Sequence, residues 1–547
     1  MTREGLSNFL IVEQQESPSE SELDELMQEF GETIEGKKFI TRRTFYYLME
    51  SPKWSELFDY DQRQVCQDMT RPMTDYYIAS SHNSYLSGNQ LSSDSSYEMY
   101  RKILLTGCRC VEIDLWDDIG EGGPGTVRPV IYHGYTLTKK IELQGVLETI
   151  NSVAFEVSDY PLIISIENRC KQLENHRRIA DLMHAVFKDR LYLEPIPADC
   201  HQFPSPGQMR GKIFIKCSKN QSINKHFLSE TDFDTRLPLG IMDIYFMSND
   251  SRRNHLEQIQ HQKYSKRERH EPIVIIKNDV EEDDESYLDR HLPIIRIRPP
   301  TRRIISNYDD FNVHYHEYDE CDIKFHHMIS RDERKSLELD VDEYREFTKN
   351  HMVRVYPSGW RQNSSNYWPL DHWNCGAQMV ALNYQRSTLP MFVNNALFAL
   401  NGQCGYVLKP NHLRHDYVDE ESIERPLIRL SVKILCGKFW NTFDNRFSCQ
   451  KVHLKIIIRI YCGHRKFRQA TETNHNGFNP VWNETFEFPI DQPELTFVHF
   501  TLTNRDNFFA HYLISFKAMR KGYRFVPLYD KHYRLIRFTK LFLHIDY

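Results

Sequence analysis

Short apolar runs that end in ionisable or amide residues recur through the first half of this 547-residue chain. The run YYIASS ends at His82 and Asn83, and the run PVIY ends at His133. In CVEIDLW, the two-residue period of a strand places Glu112 and Asp114 on one face and apolar residues on the other. Two histidines and two carboxylates within one stretch indicate acid–base chemistry together with a metal.

The same pattern continues towards residue 220. YPLIISIEN carries Glu167 near its end, GKIFIK ends at Lys216, and helix-like stretches separate the runs, which predicts a parallel α/β fold. In five successive strand candidates, the ionisable and amide residues lie at or near the C-terminal end, which is where the active site of a (β/α)8 barrel lies. Each residue alone is typical of a surface position where a strand meets a loop, but five together favour one shared pocket.

The two ends of the chain have different patterns. Apolar residues at helical spacing in SESELDELMQEFGE, followed by TRRTFYYLMES, predict a helix–loop–helix lobe. The arrangement is similar to an EF-hand pair, but no loop has the ladder of Asp and Asn residues that calcium needs, so we expect a lobe without metal. The strand runs after residue 426 predict a β-sandwich, either as a membrane-facing module or as a structural cap on the barrel.

The second half of the barrel pattern contains candidate binding residues. Arg354 and Tyr356 share one face of a short strand, where a guanidinium fork suits phosphate and an aromatic ring suits a sugar. A structural salt bridge beside a core tyrosine is the alternative. Ser330, in MISRDERKSL, would by itself be interpreted as a helix cap.

These changes of pattern divide the chain into five segments, which is consistent with a length that supports several cores. Between the two barrel segments, a basic run at 263–270 precedes an acidic run at 279–285, and such like-charge blocks cannot bury a core. The acidic run is either a solvated loop or an electrostatic lid over the site. The segments are a helical lobe (1–68), a first barrel half (69–220), a charged linker (221–320), a second barrel half (321–425) and a β-sandwich (426–547).

Composition limits the classes of function. A formal net charge of −7 gives no overall support for nucleic-acid binding. We find no apolar run of about 18 residues and no signal peptide, so we expect a cytosolic protein. The twelve cysteines are scattered, and Cys108 and Cys110 lack the second pair of a zinc site, so reduced thiols are expected.

Long motifs resemble eukaryotic phosphoinositide-specific phospholipase C. SSHNSYL, GCRCVEIDLWD, VIYHGYTLT and SIEN are similar to its X half, and RVYPSGWRQNSSNY, DHWNCG and QMVALNYQ are similar to its Y half. FDYDQRQVCQDMTRPMTDYYIASSHN resembles the exit from the family's EF-hand lobe, and NHNGFNPVWNETFEF resembles its C2 domain. The resemblance covers nearly all of the chain except the linker. It implies a TIM-type (β/α)8 barrel split by a linker, an EF-hand-like lobe and a C2 domain, without the family's usual pleckstrin-homology domain.

The resemblance also implies a reaction: calcium-dependent cleavage of phosphatidylinositol 4,5-bisphosphate into diacylglycerol and inositol 1,4,5-trisphosphate. His82 and His133 match the catalytic histidines, and Glu112 would be the base. One catalytic Ca2+ would be held by Asn83, Glu112, Asp114 and Glu167, whose oxygen donors suit a hard cation. The inositol ring and its phosphates would be held by Lys216, Ser330, Arg354 and Tyr356. The family's apolar membrane ridge matches Leu91, Tyr135, Leu137, Leu337 and Trp360, although each of these alone is more typical of a core.

Two departures from the family pattern affect specificity. The family has a second lysine two residues after the position of Lys216, whereas this chain has Ser218 followed by Lys219, so the preference for the bisphosphate is open. In the C2-like part, two calcium-loop aspartates are replaced by Cys449 and Asn504, leaving Asp506, so we expect this domain to work without calcium.

The leading hypothesis is therefore a phosphoinositide phospholipase C. A catalytically inactive phosphoinositide-binding scaffold is the main alternative, and a calcium-regulated C2 adaptor with a vestigial barrel is a third. Inactive relatives lose a catalytic histidine or a metal ligand, whereas this chain keeps both histidines and all four ligands. We expect a monomer that binds phosphoinositide-containing membranes peripherally from the cytoplasm and binds no nucleic acid. The sequence does not identify an upstream activator.

Overall fold

The structure is a computed structural model that describes most of the chain outside the predicted linker. Within this part, no helix is both long and apolar enough to cross a membrane. The linker, with both of its charged runs, lies outside the described residues. These residues are 1–119, 127–193, 203–217, 328–332, 341–414, 427–438, 452–505 and 507–547.

The N-terminal segment is helical, as predicted. Ser19 caps the second helix and forms a reciprocal capping box with Glu22, which satisfies backbone N–H groups that have no partner within the helix. Leu23, Leu26 and Leu48 are buried in a small core of their own. The elements are α1 (Arg3–Asn8), a π-helical turn (Phe9–Glu13), α2 (Glu20–Phe30), β1 (Glu32–Ile34), β2 (Lys37–Phe39), α3 (Arg42–Glu50) and α4 (Pro52–Ser55).

The central part is a parallel α/β barrel. Its described strands are β4 (Ser80–Ser81), β5 (Cys110–Ile119), β8 (Leu162–Asn168), β9 (Ile213–Cys217), β10 (Met328–Asp332), β11 (Met352–Tyr356) and β12 (Met379–Leu382). All seven are parallel, in the spatial order β10, β11, β12, β4, β5, β8, β9. The helices around them are α5 (Tyr97–Leu105), α6 (Leu143–Val153), α7 (Leu173–Phe187), α8 (Val341–Asn350), α9 (Leu370–Trp373) and α10 (Leu389–Phe398). The parallel α/β prediction is confirmed for both halves of the barrel.

One of the five strand candidates is not a barrel strand. The run PVIY forms β6 (Val127–Ile131), which is antiparallel to β5 and is followed by the short antiparallel strand β7 (Ile141–Glu142). The physical reason is the short connection, because a parallel partner would need a crossover of a dozen or more residues. Strand β5 instead extends beyond the barrel and β6 folds back along it.

A second pair of strands lies at the other end of the barrel. There, β3 (Tyr76–Ile78) is antiparallel to β13 (Tyr406–Leu408). The pair joins the first and last described segments of the barrel. Residues Tyr76 and Tyr406 are buried, and their rings make an edge contact at 6.1 Å.

The C-terminal part is all-β, as predicted. Alternating residues such as Leu430, Val432 and Ile434 are fully buried, which is the pattern of strands with one face on a core. The strands are β14 (Ile428–Lys438), β15 (Leu454–Cys462), β16 (Arg465–Ala470), β17 (Val481–Ile490), β18 (Thr496–Asn504), β19 (Asn507–Ser515), β20 (Gly522–Tyr529) and β21 (Leu535–Asp546). They are antiparallel, in the order β16, β15, β18, β19, β20, β21, β14, β17.

The β-rich domain packs against the barrel. The ring of Trp368 lies 5.1 Å from that of Tyr461 on β15, and Phe392 on α10 lies 4.2 Å from His511 on β19. Burial lowers the pKa of His511 to about 4, so this interface holds a neutral imidazole at physiological pH. The packing agrees with the structural-cap alternative and leaves the opposite faces of the domain open to other contacts.

Ion pairs join the N-terminal lobe to the β-rich domain. Glu16 forms ion pairs with Arg520 and with Arg524, whose side chain is fully buried. Gln14 extends the join: its Oε1 accepts a hydrogen bond from the Tyr523 backbone N–H at 2.6 Å, and its Nε2 donates to the Tyr523 carbonyl at 3.0 Å. The lobe is therefore anchored through buried polar groups as well as apolar contacts.

We expect Glu16→Gln to lower the free energy of unfolding by about 2–4 kcal/mol, because it leaves the buried Arg524 guanidinium without its counter-charge. Urea unfolding followed by tryptophan fluorescence would measure this, since Trp54 lies beside the guanidinium: its carbonyl accepts a hydrogen bond from Arg524 Nη1 at 3.1 Å. Glu20→Gln is the matched control, because the Glu20–Arg3 pair is exposed and solvent screens it, so its loss should change stability little. Equal effects of the two substitutions would contradict the proposed role of Glu16.

Candidate active site

Neighbouring parallel strands bring polar side chains to one end of the barrel, which we call the mouth. Across β5, β8 and β9, Glu112 pairs in register with Ser165, and Ser165 with Lys216. One step nearer the mouth, Asp114 pairs with Glu167. Because the strands are parallel, their carboxyl ends lie together, as the sequence pattern predicted.

Glu112 is held by a buried ion pair with Arg354 of the second barrel half. The two side chains are almost fully buried, and Arg354 Nη2 lies 2.9 Å from Glu112 Oε2. The backbone N–H of Asn83 donates to the same oxygen at 2.8 Å. Burial alone would raise the pKa of Glu112, but Arg354, His82 and this N–H outweigh it and hold the pKa below its usual value. Glu112 is therefore ionised at neutral pH.

The salt-bridge alternative for Arg354 is thus found in the structure, but it does not use the whole guanidinium. Arg354 Nη2 also donates to the Ser81 carbonyl at 3.2 Å. Its buried Nε has no hydrogen-bond partner among the described residues. A buried N–H without a partner is costly, so this atom is suited to an anionic ligand.

Asp114 has one oxygen in use and one without a partner. Tyr85 donates its hydroxyl to Oδ2 at 2.5 Å, whereas the buried Oδ1 has no hydrogen-bond partner among the described residues. Burial, followed by the charges of Glu167 and Glu112, raises the pKa of Asp114 well above its usual value. A cation beside these carboxylates would reverse both effects, so the oxygen donors fit a hard metal ion.

The carboxylates are nevertheless held by different protein groups. Glu167 is partly exposed, and its Oε2 lies 3.4 Å from Arg169 Nη2. Asn83 has a positive φ of 41°, and its Nδ2 donates to Gln90 Oε1 at 2.7 Å. In the described part of the chain, no three His, Cys, Asp or Glu side chains form a group that could hold a metal ion. A metal here would need the carboxylates to leave some of these partners.

His82 is half-buried between the two halves of the barrel. Its Nδ1 lies 2.9 Å from Asn383 Oδ1, and since an amide oxygen only accepts, Nδ1 carries the proton and Nε2 is left for a ligand. Burial lowers the pKa of His82, against the opposing attraction of Glu112. The ring is stacked parallel to that of Tyr356, with centroids 6.4 Å apart.

His133 reaches the mouth through the β5–β6 hairpin. Ile131 on β6 pairs with Leu115, the residue after Asp114, so the end of β6 returns to the carboxyl end of the barrel strands. His133 Nδ1 lies 2.6 Å from the carbonyl oxygen of Gln90, which again assigns the proton to Nδ1 and leaves Nε2 for chemistry. The sequence pattern predicted that His133 lies at the mouth, but it predicted a parallel barrel strand where the structure has an antiparallel hairpin strand.

The predicted phosphate-binding residues surround this centre. Lys216 is buried, its Nζ lies 3.5 Å from Ser165 Oγ, and burial followed by repulsion from Arg354 lowers its pKa to about 8. Ser330 lies in the middle of β10 and pairs in register with Arg354, so its interpretation as a helix cap is wrong. Tyr356 pairs with Asp332 and is half-buried. Ser218 and Lys219 lie outside the described residues.

Four of the five predicted ridge residues are exposed on loops. Tyr135 is 96% exposed, Leu137 86%, Trp360 78% and Leu91 44%, so the alternative that they are core residues is wrong. The Leu137 N–H donates to the Leu91 carbonyl at 2.8 Å, which ties two of these loops together. Leu337 lies outside the described residues. Exposed apolar side chains at the rim of a polar cavity are typical of a contact surface.

Two residues that the sequence did not single out contact this site. Asn383 holds His82, and it directly follows the apolar run of β12, so the same strand-end criterion would have found it. Gln90 contacts Asn83 and His133, but it lies in the polar loop GNQLSSDSS, which has no strand pattern. Only the tertiary structure reveals Gln90.

Comparison with known proteins assigns three segments of the chain to known domain families. Residues 69–219 match the model of the phosphatidylinositol-specific phospholipase C X domain, and residues 304–412 match the Y domain. Residues 428–519 match the C2 domain. The β-rich domain is therefore called the C2 domain below.

Several curated relatives align with almost the whole chain. The 1-phosphatidylinositol 4,5-bisphosphate phosphodiesterase zeta-1 of Sus scrofa is 32% identical over 99% of this chain and 85% of its own length. The delta-4 protein of Xenopus laevis is 31% identical over 92% of this chain. The chain spans 63% of the length of the delta-4 relative and 36% of that of the Homo sapiens eta-1 relative.

Solved structures agree on the fold. PLC21 of S. officinalis has a TM-score of 0.71 at 23% identity, and the alignment covers all of this chain and 66% of the PLC21 chain. PLC21 of L. pealei has a TM-score of 0.70 at 25% identity. The motifs, the arrangement of the mouth and the alignment with full-length relatives lead to one conclusion: the chain belongs to the eukaryotic phosphoinositide-specific phospholipase C family.

Proposed function

We propose that this protein is a calcium-dependent phosphoinositide phospholipase C that cleaves phosphatidylinositol 4,5-bisphosphate. The observation that carries the proposal is the meeting, at one barrel mouth, of two histidines, three carboxylates and two buried cations from five parallel strands and one hairpin. The relatives are named 1-phosphatidylinositol 4,5-bisphosphate phosphodiesterases, which supports the choice of substrate. The products would be diacylglycerol and inositol 1,4,5-trisphosphate.

The carboxylate cluster would hold one calcium ion. Asn83, Glu112, Asp114 and Glu167 are the proposed ligands, and the unpartnered Oδ1 of Asp114 supports this assignment. When bound, the ion would neutralise charge on the phosphoryl group and lower the pKa of the inositol 2-hydroxyl. Its charge would also stabilise the ionised form of Asp114, which the surrounding carboxylates disfavour.

The two histidines and Glu112 would move the protons. Glu112, ionised at neutral pH, would accept the proton of the 2-hydroxyl as it attacks phosphorus. His133, with Nδ1–H fixed on the Gln90 carbonyl, would donate a proton from Nε2 to the departing diacylglycerol oxygen. His82, when protonated at both ring nitrogens, would stabilise the charged pentacoordinate state by donating a hydrogen bond from Nε2. The attack forms a cyclic phosphate. Water would then open this ring, with His133 acting as the base and Glu112 as the acid.

The remaining mouth residues would bind the head group. Arg354 Nε and the ammonium of Lys216 would face phosphate oxygens, and Ser330 and Tyr356 would contact the inositol ring. The residue at 218 is a serine where the family has a lysine, which would weaken the grip on one ring phosphate. Preference for the bisphosphate over less phosphorylated lipids is the property most affected.

The rim residues would place the site at a membrane. Leu91, Tyr135, Leu137 and Trp360 would enter the interfacial layer of the bilayer, because burying apolar surface there is favourable. Residues 69–220 and 321–425 would then form the catalytic unit, with 1–68 as an EF-hand-like lobe, 221–320 as the linker and 426–547 as the C2 domain. The protein would be cytoplasmic and peripheral at phosphoinositide-containing membranes.

We expect the purified chain to release soluble inositol phosphates from phosphatidylinositol 4,5-bisphosphate vesicles with calcium, and to lose this activity when calcium is chelated. The physical reason is that the three carboxylates at the mouth repel an anionic phosphate unless a cation lies between them and the phosphate. Phosphate-containing products would be separated from lipid and counted over a calcium titration. No release at any calcium concentration, with intact head-group binding, would favour the scaffold alternative.

We expect His133→Ala to lower kcat at least about a hundredfold, which is the low end for loss of a general acid. The same vesicle assay, at saturating calcium, measures this effect. His464→Ala is the matched control, because His464 is exposed and pairs with Asp371 away from the mouth. Turnover of the His133 variant near that of the parent would rule out the proton-donor role.

A further inference from the structure

The β20–β21 hairpin of the C2 domain exposes cationic and apolar side chains together. The segment 530–540 reads DKHYRLIRFTK, with four lysine or arginine residues and a single acid. That acid, Asp530, is already paired with Arg534 at 3.0 Å. Leu535 is 54% exposed and Phe538 is 73% exposed. The exposed residues are Lys531, His532, Arg534, Leu535, Arg537 and Phe538.

Ring contacts show that this hairpin lies towards the barrel mouth. Tyr533 lies 5.6 Å from Phe392, in the first turn of α10, which follows the mouth loop after β12. At the opposite end of the C2 strands, Phe497 lies 6.4 Å from Trp373, and Trp373 contacts Phe398 at the end of α10. The strands therefore run alongside α10, and the hairpin faces the same side as the mouth.

The backbone holds Phe538 outward. Its φ is +62°, in the left-handed region that a phenylalanine rarely adopts, and the β20–β21 pairing shifts register between Pro527 and Tyr529. An irregularity of this kind redirects a side chain at a local energetic cost. A strained backbone that exposes an aromatic residue beside cations is consistent with a contact surface.

We propose that hairpin 530–540 binds the anionic surface of a membrane, independently of calcium and of the active site. Lysine and arginine side chains near an anionic bilayer each strengthen binding by electrostatic attraction, and exposed apolar side chains enter the interfacial layer. A membrane is favoured over an acidic protein because the hairpin shares its side of the molecule with the exposed loops at the mouth. At Asn504, where we expect a calcium ligand to be missing, the side chain accepts the His453 backbone N–H. At this end of the C2 domain, the lysine and arginine side chains of the hairpin would therefore attract the anionic surface in place of bound calcium.

Vesicle sedimentation of the full chain, with calcium chelated, tests this proposal. Vesicles would contain phosphatidylcholine with or without phosphatidylserine and no phosphoinositide, so catalysis plays no part. Lys531→Gln with Arg537→Gln should lower binding to the anionic vesicles at least about tenfold, since each charge contributes roughly fivefold. Phe538→Asn should also weaken binding, because it removes the exposed ring. Asparagine tolerates the positive φ at this position.

Arg429→Gln with Lys517→Gln is the matched control, because these exposed cations lie at the opposite end of the C2 domain. This control should bind as the parent does. Thermal unfolding would confirm that all variants fold. If the hairpin variants bind vesicles like the parent, or if the parent does not bind anionic vesicles, the proposal is overturned and an acidic protein surface becomes the better partner.

A second, independent observation concerns Gln90. Its Oε1 accepts from Asn83 Nδ2 at 2.7 Å, and its carbonyl oxygen accepts from His133 Nδ1 at 2.6 Å. Its Nε2 donates to Ser364 Oγ at 2.8 Å and lies 3.3 Å from Asn383 Oδ1, the atom that also holds His82. The Gln90 side chain therefore contacts a proposed metal ligand, Asn83, and the residue that holds His82, while its backbone carbonyl holds His133.

Gln90 also belongs to the exposed rim. Its own N–H donates to the Gln362 carbonyl at 2.8 Å, and the neighbouring Leu91 carbonyl accepts from the Leu137 N–H at the same distance. Three rim loops, which carry Leu91, Leu137 and Trp360, are thus joined at this residue. A displacement of these loops would be transmitted to the histidines through the hydrogen bonds of Gln90.

We infer that Gln90 is a positioning residue that aligns Asn83, His82 and His133. This inference rests on the proposed function, because it assigns Asn83 to calcium and the histidines to proton transfer. Groups that orient metal ligands typically change metal affinity or activity by ten- to a hundredfold when removed. Gln90 contacts Asn83 and His133 directly, and it reaches His82 through Asn383.

Gln90→Ala should lower kcat on phosphoinositide vesicles by about ten- to a hundredfold, with KM changed less than about twofold. Calorimetry of calcium binding without substrate should show weaker affinity, because Asn83 loses its partner. Gln90→Glu keeps the acceptor for Asn83 but cannot donate to Asn383, so calcium affinity should persist while kcat falls. A merely structural role would not separate these two measurements.

Gln385→Ala is the matched control: Gln385 Nε2 also donates to Ser364 Oγ, at 3.2 Å, but in the described part of the chain Gln385 makes no hydrogen bond to either histidine. It should retain kcat and calcium affinity. Parent-like calcium affinity and kcat in Gln90→Ala would overturn the positioning role. An inactive parent that still binds calcium would instead count against the proposed function, and the calorimetric comparison would still test Gln90.

Discussion

The buried ion pair between Glu112 and Arg354 is the interaction on which the rest of the site depends. Glu112 belongs to the first half of the barrel and Arg354 to the second, and the two are separated by more than 200 residues of sequence. Burying two charges has a large desolvation cost, which their attraction offsets only when other hydrogen bonds complete the arrangement. Here the Asn83 N–H and the Ser81 carbonyl complete it. The pair therefore fixes how the two halves meet.

Around this pair, the mouth combines satisfied and unsatisfied polar atoms. The histidines are fixed at Nδ1 by Asn383 and by the Gln90 carbonyl, so both rings keep Nε2 for a ligand. Arg354 Nε and Asp114 Oδ1 remain buried without partners among the described residues. Since buried polar atoms are normally paired, these two atoms support the proposed binding of an anion by Arg354 and of a cation by Asp114. The C2 domain and the N-terminal lobe support this centre from outside, through aromatic packing and the Glu16 ion pairs.

Much of the fold could be predicted from local pattern. The helices near Leu23 and Leu48, the strands that carry Glu112 and Lys216, and the all-β C-terminal part all follow from hydrophobic periodicity, which is a property of neighbouring residues. Three features could not be predicted in this way. The run ending at His133 has the composition of a barrel strand but pairs antiparallel, Ser330 lies in a strand, and Gln90 lies in a loop with no periodic pattern.

The sequence by itself determined the chemical inventory of this protein: two histidines, carboxylates at strand ends, a family resemblance along both barrel halves, and a C2-like part with fewer acids at its calcium positions. Only the tertiary structure decided which of these groups touch. It placed Arg354 against Glu112, Gln90 between Asn83 and His133, and the cationic hairpin on the side of the mouth. The physical reason is that periodicity reports which face of an element is buried, whereas contacts between distant segments depend on strand order, register and packing.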